Sequence, residues 1–341
     1  MDELVQYVAM LQAECYADNT NASYSTAVRS FASFCISGRG RGFHRRMLPA
    51  EDDVMAAWVV HMVVNKELKP ATAKHYLSGL RALHVQLGHE WRPLKERWQV
   101  WAALQGARRR WDTPSKQVMP VSFKELLLMS VLVKRGSFNE RVVLAAMLVA
   151  FFGFFRKDNI SVGKQDAWNP RGHLVRSDVA WDEETGGVWL RVRHSKTIQC
   201  GERYHWVYLA PVADSPICPV EGLRWVLGQP GLGLDGPLFV VEDAKGKLGP
   251  LTHAFFVETF RELATRAGLD PQQYSGHSFR RGGATTAAEL QVADRLIQAH
   301  GDWASECYKL YCDMKGQQRL VLPSTMAAAA AAASEDFRTL K

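Results

Sequence analysis

Four short stretches of this 341-residue chain carry side chains that can do chemistry. In the first, the apolar run Phe151-Phe152-Gly153-Phe154-Phe155 stops at Arg156-Lys157-Asp158-Asn159-Ile160. In the second, Lys196 lies in Ser195-Lys196-Thr197-Ile198-Gln199-Cys200-Gly201-Glu202-Arg203, between two segments of alternating pattern. In the third, His277-Ser278-Phe279-Arg280-Arg281-Gly282-Gly283 sets His277 and Arg280 three apart, a spacing that shares a helical face. In the fourth, Gly301-Asp302-Trp303 precedes Tyr308 and Tyr311. Each has a plain reading when taken singly. Arg156 can be the first solvated residue after a helix, Lys196 a loop lysine, His277 and Arg280 a surface pair, and the aromatics core packing. Their chemistry becomes specific only in combination. An arginine is a planar, permanently charged fork that holds two oxygens of an anion at once. A tyrosine hydroxyl, with a pKa of about 10, must lose its proton before it attacks.

The order of these groups is Arg, loop Lys, His-x-x-Arg, Gly-x-Trp, then Tyr. That order and spacing resemble the tyrosine recombinase (phage integrase) family. The resemblance spans the whole chain and is strongest from Met119 to Met314. Its wording, FFRKDN, HSKT, HSFRRGGAT and HGDW followed by YKLY, is most similar to recombinases of eukaryotic mobile elements of the DIRS-like and crypton-like kinds. The resemblance implies a catalytic set of Arg156, Lys196, His277, Arg280, Trp303 and Tyr311. Arg156 and Arg280 would hold the charge that builds on the non-bridging oxygens of a phosphodiester, where one such donor is worth roughly 10²–10³ in rate. Tyr311 would be the nucleophile and form a 3′-phosphotyrosine. His277 would accept its proton or position the phosphate, and Lys196 would protonate the departing 5′ oxygen. A covalent intermediate conserves the bond energy, so the strand can be rejoined without ATP.

Two positions depart from the family pattern. The family has a His or Trp about nine residues before the nucleophile. Here Asp302 is nine before Tyr311 and Trp303 is eight before it, and Trp303 is assigned to the site. The family often has an acidic residue three after the first arginine, and here that residue is Asn159. Tyr308 competes with Tyr311 but follows Trp303 by only five residues.

The elements that must carry these groups are mainly α, with a small β-sheet in a second domain. In the first third, Asn21 or Ser23 is positioned to cap a helix with Tyr24, Val28, Phe31 and Phe34 or Cys35 at three- and four-residue spacing. Pro49 and Asp52 or Asp53 open another, through Val54, Trp58 and Met62. Pro70 and Thr72 open a third, with Leu77, Leu80, Leu83 and Leu87 on one stripe and Gly88 ending it. A further helix spans about Pro93 to Ala107. Residues 1–107 therefore read as a helical bundle, which the resemblance makes a SAM-like core DNA-binding domain. Residues 108–120 read as a basic linker and 121–326 as the catalytic domain. Ser122 and Glu125 have the spacing of a capping box, so a helix is predicted from Phe123. Val188, Leu190 and Val192 alternate with Trp189, Arg191 and Arg193, and a second strand is predicted over Tyr204 to Leu209, with the Lys196 loop between them as a hairpin. Helix resumes from Thr252. The alanine run Ala327 to Ala333 suits either a helix or a solvated tail, and 327–341 is treated as a tail.

Composition limits the partners. There are 42 Lys and Arg against 35 Asp and Glu, a formal net charge of +7, and 47% hydrophobic residues, which excludes a disordered or fibrous chain. The basic excess suits a polyanion. The basic positions that could meet phosphates are Arg39, Arg41, Arg45 and Arg46 in a glycine-rich loop, Lys74 and Arg81 seven apart on one helix, and Arg108, Arg109 and Arg110. A solvated charged face is the plain alternative for each. No apolar stretch reaches the ~18 residues of a membrane helix, and the acidic MDELVQYVAM is unlike a secretory leader, so an intracellular protein with no membrane partner is expected, nuclear if eukaryotic and otherwise at the nucleoid. The six cysteines form no CxxC pair and read as free thiols. No metal or other cofactor is expected, because two arginines and a lysine cover the electrostatic work that a divalent ion does in nucleases. The resemblance implies double-stranded DNA as partner and a homo-tetramer on two DNA sites. Two other readings stay open: a type IB topoisomerase-like enzyme with the same residues, and a non-catalytic DNA-binding relic.

Overall fold

The computed structural model describes residues 2–37, 47–113, 117–133, 137–164, 167–310 and 323–330. The chain divides into two compact units, Met1–Lys116 and Gln117–Lys341.

The first unit is all helical: α1 Asp2–Ala13, α2 Asp18–Ile36, α3 Asp52–Val60 continued by a π-turn His61–Asn65, α4 Pro70–Gln86 and α5 Trp98–Trp111. Helix α2 starts earlier than Asn21 or Ser23 would suggest, and no side chain caps it. Its buried face is Ala27, Phe31 and Phe34, and Phe31 meets the fully buried Trp58 edge-on at 5.0 Å. In α4, Leu77 and Leu80 are buried, whereas Leu87 is 55% exposed; the core place beyond Leu80 is taken by His84. Gly88 turns the chain out of the helix at φ +75°, a conformation that costs glycine little. Helix α5 extends past Ala107 and takes Arg108, Arg109 and Arg110 into its last turn, so the expected linker begins later. Arginine is a good helix former, and its charge is favourable at the carbonyl end of a helix. Lys74, Arg81 and these three arginines are all exposed. Arg39, Arg41, Arg45 and Arg46 lie outside the described residues.

The buried imidazole of His84 joins two elements. Its Nε2 accepts from the Ala50 N–H at 2.8 Å, and its Nδ1 donates to the Leu80 carbonyl at 2.8 Å. This arrangement requires the neutral ring.

The second unit combines helices with two small sheets. The Ser122–Glu125 capping box forms as predicted and starts α6 Phe123–Leu132. Helix α7, Phe138–Phe152, is apolar on nearly every side, with nine buried residues from Val142 to Phe151, and is the central element of the core. A one-turn helix α8, Lys157–Ile160, follows. A three-stranded antiparallel sheet then forms from β1 Val179–Trp181, β2 Val188–Val192 and β3 His205–Leu209, in the order β1-β2-β3. The predicted alternation is realised: Val188, Leu190, Val192, Val207 and Leu209 face the core. Each such burial contributes about 1.5–3 kcal/mol. Strand β1 has only three residues, too short for a period-two signal. Helix α9 is Pro219–Leu227, and β4 Val240–Glu242 pairs with β5 Leu248–Pro250. Thr252 caps α10, His253–Arg266. Helix α11 is Ser278–Glu289 and α12 is Asp294–His300, with a 3-10 turn at Glu306–Leu310. Residues 323–330, which include part of the alanine run, are helical and exposed.

The segment just before α6 is bound to the second unit. Met119 N–H donates to Gln273 O at 2.7 Å and Val121 N–H to Ser278 O at 3.0 Å, and Arg281 holds Val118 O and Gln117 Oε1. A Cβ at Gly282 would stand 2.0 Å from Val121 O, and one at Gly283 would stand 2.2 Å from Phe151 O. The glycine pair thus lets α11 pack backbone to backbone against both α7 and this segment. Among the described residues, no helix is long and apolar enough to cross a membrane.

Burial holds the pKa of His84 below the ordinary imidazole value of 6.5; the Leu80 carbonyl opposes this, while His89 and Arg97 assist it. The unfolded chain therefore binds this proton more readily than the folded one. The stabilisation is complete above pH 6.5 and declines as pH falls below it. Thermal unfolding of His84→Gln should show a lower Tm than the parent at pH 7.5 and a smaller drop between pH 7 and pH 5.

Candidate active site

The site belongs to the second unit, and a buried cation organises it. Arg280, on the first turn of α11, is 3% exposed. Its Nη1 donates to Phe154 O and its Nη2 to Gly301 O at 2.7 Å, and its guanidinium carbon lies 3.9 Å from the centroid of the Trp303 ring. Arginine keeps its proton in any protein environment, so burial demands acceptors, and two carbonyls and an aromatic face supply them. Arg280 thereby joins three segments: the turn after α7, the start of α11 and the turn after α12.

The turn after α7 aims Arg156. Phe154 adopts φ +51°, and its ring packs edge-on against His300 at 4.7 Å. Arg156, half-buried, is the N-cap of α8, where its backbone N–H donates to Asn159 Oδ1 at 3.0 Å. Asn159 thus supplies the acceptor that an acidic residue would otherwise bring. Its amide also donates to His194 O at 3.5 Å, which ties α8 to the loop leaving β2. Lys157, Asp158 and His253 form a polar cluster beside it: Nζ of Lys157 is 3.2 Å from His253 Nδ1, and Asp158 is 3.2 Å from His253 Nε2.

His277 is the N-cap of α11 and lies at the surface, whereas Arg280 points into the core. The spacing placed the two together in sequence but did not distinguish these environments. Desolvation by neighbouring groups lowers the pKa of His277; Asp158 opposes this, and Lys157, Arg280 and Arg156 reinforce it.

Lys196 is exposed at the tip of a tight turn between β2 and β3, closed by Ser195 N–H to Ile198 O at 3.0 Å and Ile198 N–H to Ser195 O at 3.1 Å. The loop is fastened to the turn after α12. Thr197 Oγ1 donates to Asp302 Oδ2, Arg203 Nη2 donates to Asp302 Oδ1 at 2.6 Å, and His205 Nε2 donates to His300 O at 3.0 Å. Thr197 and Arg203 went unnoticed as site residues in the sequence, and Asn159 was noticed only as the residue at the family's acidic position. The one signal was Asp302 itself, an acidic residue where the family pattern has a donor.

Trp303 is 5% exposed and Tyr308 3% exposed, and both pack with Phe154, Ala284 and Ile297. Burial raises the Tyr308 pKa, and a hydrogen bond to Asp294 adds to this. The surroundings of Tyr308 therefore favour the protonated phenol. Tyr311 lies outside the described residues. Among the described residues, no group of three or more His, Cys, Asp or Glu side chains is arranged to hold a metal ion.

No family model matches the chain. A curated relative, the integrase/recombinase xerD homolog of Selenomonas ruminantium, is 26% identical over 286 residues, covering 81% of this chain and 75% of the relative. The chain is thus similar in sequence to a recombinase of the tyrosine recombinase kind. Solved structures of similar fold include the XerH site-specific recombinase bound to a palindromic difH substrate in a post-cleavage complex. It has a TM-score of 0.61 and 18% identity, covering 90% of this chain and 79% of that one. The Tn1549 transposon integrase with transposon right end DNA has a TM-score of 0.58 and 12% identity, covering 92% and 95%. A lambda integrase (75-356) dimer on a COC′ core site has a TM-score of 0.56 and 17% identity, covering 92% and 95%. The helical unit and the mixed unit of this chain share the fold of those structures.

Trp303→Ala removes the ring that covers a buried guanidinium. Truncating a buried tryptophan typically costs about 3–5 kcal/mol. Chemical denaturation of the whole chain should show a loss of that order for Trp303→Ala and a smaller one for Trp303→Phe.

Proposed function

We propose that this chain is a site-specific recombinase or integrase that cuts and rejoins DNA strands through a 3′-phosphotyrosine. The observation that carries the reading is that one buried arginine joins the turn before Arg156 to the turn that fastens the Lys196 loop, on the helix that His277 caps. Arg156 and Arg280 supply permanent positive charge where a phosphodiester gains negative charge. His277, held neutral, can take the phenolic proton of Tyr311 or orient the phosphate. Lys196 gives a proton to the 5′ oxygen as it leaves. The bond formed is tyrosine oxygen to phosphorus and the bond broken is phosphorus to the 5′ oxygen. A 5′ hydroxyl attacking the phosphotyrosine then reverses both. This chemistry needs no nucleotide cofactor, because the covalent intermediate retains the phosphodiester energy.

Double-stranded DNA is the partner. Lys74, Arg81 and Arg108–Arg110 are the exposed basic side chains of the first unit proposed to meet its phosphates. A mobile element is the proposed genetic setting, four protomers on two DNA sites the proposed assembly, and the nucleus or nucleoid the proposed location, since the substrate is there.

A pool of nicked duplexes of randomised sequence, in which the cleaved fragment is lost by diffusion, tests the reading. On a denaturing gel the parent chain and Tyr308→Phe should give a covalent protein–DNA band, and Tyr311→Phe should give none. Absence of a band from the parent chain, or its persistence in Tyr311→Phe, would overturn the assignment. Sequencing the captured DNA identifies the target.

A second expectation concerns pH. Because the His277 pKa is depressed, its protonation falls below pH 6.5. The acid limb of the single-turnover cleavage rate should therefore lie below 6.5 and flatten in His277→Asn.

A further inference from the structure

Asp302 occupies a position where the sequence pattern leads one to expect a group that can donate to phosphate. A carboxylate only accepts, and both of its oxygens here are engaged. Oδ2 accepts from the Thr197 hydroxyl and Oδ1 accepts from Arg203 at 2.6 Å. The Asp302 side chain is 16% exposed and its backbone is left-handed at φ +51°, a conformation that aspartate tolerates better than most residues. Burial alone would raise its pKa, but the bonds from Thr197 and Arg203 outweigh this and hold it below the ordinary carboxylate value. It is thus a carboxylate across the neutral range.

Thr197 is in turn fixed to its own loop. Its hydroxyl lies 2.9 Å from Ser195 Oγ, and its N–H donates to that oxygen at 3.1 Å. Lys196 is the residue between these two. A lysine side chain has four rotatable bonds and high rotamer entropy, so its ammonium searches a wide volume unless the backbone beneath it is fixed. The Asp302 carboxylate fixes that backbone from one side, and Gly301 O, one residue away, receives Arg280. The loop position is therefore referred to the same cation that sets the turn before Arg156.

We propose that Asp302 is a positioning residue: with Thr197 and Arg203 it latches the β2–β3 loop so that Lys196 is presented to the leaving oxygen. This rests on the strand-cutting reading above and adds the means by which the proton donor is placed.

The test compares two leaving groups. Duplexes recovered from the randomised pool are made with an ordinary 5′ oxygen or with a bridging 5′ sulfur at the cleaved phosphate. Sulfur departs without needing a proton, so a defect in lysine placement disappears on the sulfur substrate. Asp302→Ala, Thr197→Val and Lys196→Ala should each slow cleavage of the oxygen substrate, the first two by roughly ten- to a hundredfold, and all three should cleave the sulfur substrate within about threefold of the parent. Asp302→Asn, which keeps an acceptor for Thr197 and loses the ion pair, should fall between. In the double variant Asp302→Ala/Lys196→Ala, the aspartate change should add little, because the group it positions is gone. A second measurement needs no catalysis: hydrogen exchange of the intact chain should show the Ser195 and Ile198 amides losing protection in Asp302→Ala while α7 and α11 keep theirs.

The latch is refuted if Asp302→Ala is equally slow on both substrates, or as fast as the parent on both, or if the loop amides remain protected. A parent chain that forms no adduct with either substrate refutes the strand-cutting reading, and the proposal with it. A parent chain and Lys196→Ala that behave as expected beside an Asp302→Ala that does not refute the latch alone.

Discussion

The second unit depends on how it satisfies one buried positive charge. A guanidinium inside a protein is costly unless its N–H groups meet acceptors. Arg280 takes the carbonyls of Phe154 and Gly301 and the face of Trp303. Carbonyl oxygens carry only partial charge, and the guanidinium sets up a positive field around it. That field extends to His277, where it helps to keep the imidazole neutral. The same contacts therefore serve both the fold and the electrostatics.

The glycine pair after Arg281 is the steric counterpart of this arrangement. Arg280 can reach Phe154 O only because α11 lies against α7 with no Cβ between them at Gly283. At Gly282 the helix admits the segment of Val121, whose backbone it also accepts in hydrogen bonding. Four consecutive residues thus divide the tasks: two arginines bind neighbouring segments, and two glycines let those segments approach.

Much of this was legible in the sequence, for physical reasons that differ from element to element. Apolar periodicity marked α4 and the β2–β3 hairpin, and the Ser122–Glu125 spacing marked the start of α6, because these signals are local. The ends of α2 and α5 were not marked: α2 has no capping side chain, and a run of arginines reads equally as a linker or as the last turn of a helix. The reactive residue types at Arg156, Lys196, His277 and Arg280 were legible as an ordered set. Their roles were less so. Nothing in HSFRRGG says that His277 faces solvent while Arg280 is interior, since both lie within one turn. The bonds from Thr197 and Arg203 to Asp302 join residues about a hundred positions apart, and only tertiary structure brings such partners together. Tyr311, the proposed nucleophile, is read from sequence alone.

The left-handed turn at Phe154 has a consequence for how losses at this site combine. A bulky residue at φ +51° is held out of its preferred backbone region, at a cost of order 1–2 kcal/mol. The guanidinium on its carbonyl helps to hold it, together with the packing of its ring against His300 and Trp303. Without that contact the turn relaxes toward a right-handed or extended form, and the peptide that orients residue 156 swings with it. The two arginines are therefore not independent contributors whose deletions multiply. Under the proposed function, losing the arginine at 280 would also disturb the turn that leads to 156, so the two deletions should not combine as independent ones.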